Sequence, residues 1–138
     1  MTISVVLVDD NLLFRKTVAE YLRTVPDIQI VGEANNGMDA QVQVLAVNPQ
    51  VLVMDWMMPR MGGWEALRLL RLEAPWVRVI VLSMHADEVH VQNAVQNGAR
   101  GYVLKEDTVD HLPRAIRAVA RGERYFSPRL EPLIPQSC

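Results

Sequence analysis

Apolar positions along the chain fall into two alternating kinds of run. Short, β-branched runs cover Ile3 to Val8, Ile28 to Val31, Val51 to Met54, Val77 to Leu82 and Gly101 to Leu104. Several are apolar without alternation, the pattern of strands buried on both faces of a parallel sheet. Between them, apolar residues recur at helical spacing. Phe14, Val18, Leu22 and Val25 form one stripe, and Ala40, Val44 and Val47 a second that Val42 and Leu45 blur. Leu67 and Leu70 mark a third helix, Val91, Ala94 and Val95 a fourth, and Leu112, Ala115, Ile116 and Val119 a fifth. Asn11 is placed to cap the first helix, Asn48-Pro49 to stop the second, and Gly98 to end the fourth.

Five strand–helix repeats predict an α/β fold, a doubly wound parallel sheet with helices on both faces, because right-handed crossovers and two apolar sheet faces require it. Pro113 is the awkward residue. A helix capped by Asp110 would hold it in the first turn, whereas a helix starting at Thr108 would be expected to kink there. After Gly122 the chain carries Pro128, Pro132 and Pro135 and loses helical period. The reading is one domain over residues 1–122 and a linker or tail over 123–138.

Composition narrows the function classes. The 138 residues are 50% hydrophobic and 22% charged, ordinary for a globular domain, and the formal net charge is −2. A sequence pI near 5.9 offers no basic surface for nucleic acid. The single cysteine, Cys138, allows no internal disulfide and points to a reducing compartment. The first residues lack a signal-peptide pattern and no apolar stretch is long enough for a membrane span, so a cytoplasmic protein is expected.

The chemistry should sit at the carboxyl ends of the strands. There the sequence places Asp9 and Asp10 after the first strand, Asp55 after the third, Ser83 after the fourth and Lys105 after the fifth. Each has an ordinary reading alone: a helix cap, a strand-end acid, a turn hydroxyl, a solvated lysine. Together they suit phosphoryl transfer. Clustered carboxylates need a cation among them, and hard oxygen donors suit Mg²⁺. One carboxylate can take the phosphoryl group as an aspartyl phosphate, while metal, lysine and hydroxyl neutralise its oxygens. No histidine or cysteine stands ready as the nucleophile.

Four pieces carry a family resemblance: VVLVDD at Val5 to Asp10, VLVMDWMMPRMGG at Val51 to Gly63, VLSMHA at Val81 to Ala86, and NGARGYVLK at Asn97 to Lys105. In this order and spacing the chain resembles the receiver domain of two-component response regulators from about Met1 to Gly122. The resemblance implies a flavodoxin-like (βα)5 fold with strand order 2-1-3-4-5. It implies that Asp55 accepts phosphate from a sensor histidine kinase, and that Asp10, backed by Asp9, holds Mg²⁺ (or Mn²⁺) with Asp55 and the backbone carbonyl of Met57. Lys105 would contact the phosphoryl group, Ser83 would swing its hydroxyl onto it, and Tyr102 would follow inward. Read without the resemblance, Tyr102 is a half-buried strand aromatic. Trp56, Met57 and His85 would line the pocket rim, with Pro59 and Gly62-Gly63 shaping the loop. His85, His90 and His111 show no zinc spacing, which argues against ligation by them.

Many receivers follow the lysine with proline, whereas Glu106 stands here. That feature and the stretch HLPRAIRAVARGERYFSP resemble the LuxR/FixJ (NarL-type) subset, which implies a DNA-binding helix-turn-helix beyond this chain and a homodimer promoted by phosphorylation. The prolines and abrupt end favour a chain cut at the linker over a stand-alone receiver. Receiver chemistry is self-phosphorylation and autodephosphorylation with Mg²⁺, not turnover of a substrate. A small phosphohydrolase would want a second acid where Met57 stands, and a flavin or nucleotide binder would want a glycine-rich loop where VDDNLL stands. A receiver-shaped interaction module that ignores phosphate is the remaining alternative, against which the intact set Asp10, Asp55, Ser83 and Lys105 argues.

Overall fold

The computed structural model describes residues 2–58 and 61–134; Pro59, Pro135 and Cys138 lie outside them. Six strands form one parallel sheet: β1 (Ile3–Val8), β2 (Ile28–Ala34), β3 (Val51–Asp55), β4 (Arg78–Ser83), β5 (Gly101–Leu104) and β6 (Tyr125–Phe126). Their order is β2-β1-β3-β4-β5-β6, so the expected five-strand order holds and gains a sixth member at one edge. The helices are α1 (Leu12–Arg23), α2 (Gly37–Val47), α3 (Gly63–Glu73), α4 (Glu88–Gln96) and α5 (Thr108–Ala120).

The sheet is covered on both sides. Val5, Leu7, Val51, Val53, Ile80, Leu82 and Val103 pack against α1 and α5 through Val18, Leu22, Leu112, Ile116 and Val119. The alternate positions Val6, Val8, Leu52, Met54, Val79, Val81, Tyr102 and Leu104 pack against Ala40, Val44, Leu67, Leu70, Val91 and Ala94 of α2, α3 and α4. With both faces dry, period-two polarity vanishes from the central strands, which explains their continuous apolar runs.

Local signals account for the element ends. The Asn11 side chain accepts from the Phe14 N–H at 3.0 Å to start α1. Asn48 adopts a left-handed φ of 49° to end α2, and Gly98 follows α4 at φ 100°. The fifth helix starts at Thr108, so Pro113 lies inside it and cannot donate to the Val109 carbonyl one turn earlier. The Tyr21 hydroxyl of α1 donates to that carbonyl at 2.8 Å instead. An outside donor thus satisfies the group that proline orphans.

Residues 123–134, which the sequence reads as linker, lie against the sheet edge. Gly101 and Tyr102 pair with Tyr125 and Phe126, the Leu104 N–H donates to the buried Ser127 hydroxyl at 3.0 Å, and Leu130 is fully buried at the start of a 3-10 turn, Pro128–Leu133. Proline spacing conceals this because the tail docks through single buried side chains without a periodic stripe. Among the described residues no helix is long and apolar enough to cross a membrane.

Candidate functional site

Four strand ends deliver two carboxylates, a hydroxyl and an ammonium to one side of the sheet. Asp9 is the first residue after β1, Asp55 the last of β3, Ser83 the last of β4, and Lys105 the first after β5. Parallel strands all end on the same side of the sheet, so residues far apart in sequence meet there. Lys105 Nζ lies 2.8 Å from Asp9 Oδ2 and 3.4 Å from Asp55 Oδ2. Asp9 and Asp55 are both buried, whereas Asp10 is exposed. Carboxylate oxygens of Asp9, Asp10 and Asp55 lie within 4.8 Å of one another, a group able to hold a metal ion.

The two buried acids are held differently. Asp9 Oδ1 accepts from the Asn11 N–H at 2.8 Å, while Arg15 Nη1 donates to the Asp9 carbonyl at 2.8 Å and its Nε pairs with Glu33 at 3.0 Å. Asp9 Oδ2 faces the Lys105 ammonium but receives no aligned hydrogen bond. Asp55 Oδ1 accepts a long bond of 3.4 Å from the Met57 N–H. Burial pushes the Asp55 carboxyl up to about 6, the Asp9 charge adding to the shift and Lys105 opposing it. Burial works against the Lys105 charge, yet the two carboxylates outweigh it and hold its pKa above the ordinary lysine value. One ammonium therefore faces two carboxylates with a third, Asp10, in the same cluster, and the donor set suits a further divalent cation.

Loop shape follows from close approach. A Cβ on Gly63 would come within 2.9 Å of the Asp55 carbonyl oxygen and of Trp56 Cα, so α3 begins directly beneath the end of β3 because residue 63 is glycine. Trp56 is buried under this turn, and Met57 is exposed at its rim. The sequence reading put both at the rim; an indole that must cover α3 explains the difference.

Ser83 and Tyr102 meet around His85. The Ser83 hydroxyl accepts from the His85 N–H at 3.0 Å, and the Tyr102 hydroxyl donates to the His85 carbonyl at 2.7 Å. Tyr102 is fully buried rather than half-buried, and already points inward. Burial pushes its phenol up to about 12, against the lowering effect of a Ser83 hydrogen bond. Both polar atoms of the His85 backbone are thus held by side chains expected to switch.

Sequence reasoning missed supporting residues. Phe14, read as core stripe, sits 4.6 Å beneath the Lys105 ammonium as a cation–π partner. Arg15 fixes the backbone of Asp9, and Ser127 fixes the strand that presents Lys105. A basic residue one turn into the helix after Asp9-Asp10 was the available signal for Arg15. Nothing local marks Ser127. Glu106, where many receivers have proline, lies inside a 3-10 turn over Lys105–Asp107 and pairs with Arg129 of the tail.

Comparison with known proteins decides the family. The response regulator receiver domain family matches residues 5–117. This chain belongs to that family. It is 40% identical over 128 residues to the transcriptional regulatory protein DegU of Brevibacillus brevis, covering 93% of this chain and 54% of the relative. It is 32% identical over 130 residues to the response regulator VraR of Staphylococcus aureus, covering 94% and 62%. The receiver domain therefore spans little more than half the length of these curated relatives. Among solved structures, a LuxR-family two-component response regulator from an Aurantimonas species superposes with TM-score 0.92 at 30% identity, covering 97% of this chain and 96% of that one. The signal receiver domain of the NarL regulator from Mycobacterium tuberculosis superposes with TM-score 0.84 at 33% identity, covering 88% and 98%. The two solved structures place this receiver domain in the NarL-type, LuxR-family subset.

Proposed function

We propose that Asp55 of this receiver domain is the phosphoacceptor and that the four-strand constellation around it is a phosphorylation switch. The observation that carries this reading is the single ammonium of Lys105 bridging Asp9 and Asp55 at 2.8 and 3.4 Å, at the crevice where the sheet ends. An Asp55 oxygen attacks the phosphorus of a phosphohistidine on a sensor kinase; a P–O bond forms, the P–N bond breaks, and the imidazole leaves with its electron pair. Lys105 is placed to follow the charge from carboxylate to phosphoryl oxygen. Asp10, Asp55 and the Met57 carbonyl, with Asp9 behind, would hold Mg²⁺ or Mn²⁺, which when bound supplies charge neutralisation for the phosphoryl oxygens. Asp9 Oδ2, buried beside the lysine without an aligned hydrogen bond, supports the fit.

The phosphoryl group then competes for the Ser83 hydroxyl. That hydroxyl now accepts from the His85 N–H, and its departure frees one of two clamps on the β4–α4 loop. A change at Asp55 thereby reaches α4 and, through Tyr102 and β6, the tail. The relatives support an output by transcription: DegU is a transcriptional regulatory protein longer than this chain. In that reading a sensor histidine kinase is the upstream partner, phosphorylation promotes a homodimer, and DNA is met through a helix-turn-helix outside residues 1–138, with the protein in the cytoplasm.

The test is intact-protein mass after incubation with Mg²⁺ and acetyl phosphate, wild type against Asp55→Asn. One hydroxylamine-labile phosphoryl adduct on wild type and none on the variant is the expected result. Equal labelling of both would move the acceptor elsewhere. No label on either, with folding intact, would favour a phosphate-independent interaction module.

A further inference from the structure

A second group of metal-ligand side chains stands on the loop after β4, apart from the acidic cluster. His85, Asp87 and His90 offer two imidazoles and a carboxylate whose ligand atoms lie within 4.8 Å of one another. His90 Nδ1 is 2.7 Å from Asp87 Oδ2 and 2.8 Å from Oδ1, and His85 Nδ1 is 4.0 Å from Asp87 Oδ1. The two imidazole rings stack at 4.3 Å with an interplanar angle of 12°. His111 takes no part, being bonded to the Tyr125 hydroxyl at 2.7 Å.

We propose that His85, Asp87 and His90 form a binding site for a borderline divalent ion of the zinc class. Two nitrogens and one carboxylate oxygen with a position left to water are the donors such an ion takes, whereas Mg²⁺ prefers an all-oxygen set. The backbones of the three residues are already fixed. Asp87 caps α4 by accepting from the His90 N–H, and His85 is gripped through its N–H by Ser83 and through its carbonyl by Tyr102. The side chains remain partly exposed, and their present separations of 2.7 and 4.0 Å bracket the roughly 3.3 Å between donors of a tetrahedral shell. The ion takes a place between the His90 ring and the Asp87 carboxylate, which now meet directly. Sequence spacing concealed the site because its ligands span a loop and the first helical turn, and the third ligand is an aspartate.

The experiment is a competitive titration of the whole chain with Zn²⁺ in excess Mg²⁺, with Cys138→Ser as the common background to remove thiol binding. One Zn²⁺ per chain in the micromolar range is expected. Affinity should fall more than tenfold in His85→Gln and in His90→Gln, and stay unchanged in His111→Gln and Asp10→Asn. Binding that survives both histidine substitutions, that disappears with Asp10→Asn, or that is absent up to millimolar Zn²⁺ would overturn the proposal. A second readout needs no variant: in NMR spectra of the unsubstituted chain, Zn²⁺ should shift the ring resonances of His85 and His90 and leave His111 in place. Unmoved His85 and His90 rings would refute the site equally.

Discussion

Asp55, the proposed phosphoacceptor, is a carboxyl buried at a cost to the fold. Its carboxyl has an ordinary value near 3.8 and is pushed up to about 6, first by burial and then by the Asp9 charge. A raised carboxyl pKa means that the native state takes up a proton before the unfolded chain does. Stability of the metal-free protein is therefore gained as pH falls from about 7 through 6 toward 4, and lost on the way back. Asp55→Asn mimics the protonated form. It should raise the unfolding free energy in chelator by about 1–3 kcal/mol near pH 7.5 and by much less near pH 4.5, measured by urea denaturation at both values. A variant less stable than wild type at the higher pH would show that Asp55 is a net stabilising partner of Lys105. At this scale the sequence was most informative where a residue type ends a strand. Asp9, Asp55, Ser83 and Lys105 could be gathered from strand ends alone. The burial of Tyr102 and Trp56 could not, since whether a rim aromatic turns inward depends on neighbours such as Gly63 and His85 that only the folded chain assembles.

Pairs of elements show a second kind of compensation. Pro113 removes the donor that the Val109 carbonyl would otherwise use, and Tyr21 of α1 supplies one across the interface. The hydrogen bond is solvent-accessible, so Tyr21→Phe should cost only about 0.5–1 kcal/mol. In a Pro113→Ala background the restored N–H can serve Val109 itself, and the same Tyr21 change should cost less. A double-mutant cycle by thermal or chemical denaturation measures this coupling; strict additivity would mean that the tyrosine and the proline act independently. The helices themselves were legible because their stripes repeat, and Asn11, Asn48 and Gly98 marked their ends. The start of α5 was ambiguous for a physical reason. Proline is tolerated in a first turn without help and in the second only with a donor from elsewhere, and that donor comes from a residue about ninety positions earlier.

Across the whole molecule, the two-faced sheet was legible because five apolar runs of strand length alternate with helical stripes. The sixth strand was not, because two paired residues leave no pattern to read. Tyr102 pairs with Phe126 and bonds to His85, and Leu104 donates to Ser127, so the tail reports on the same strand that presents Lys105. Leu130 holds it down from a fully buried position. Leu130→Ala should loosen the tail without unfolding the sheet: amide exchange at Leu104 should accelerate severalfold while that of Leu52 in β3 stays unchanged. Acceleration at both would mean that the tail and the sheet open as one unit. The same two-residue strand has a consequence outside signalling. An edge strand without a cover offers its free N–H and C=O groups as a template for strands of other molecules. Residues 125–134 close that template on one side of the sheet, so a regulator that loses the grip of its tail also gains a surface prone to edge-to-edge aggregation.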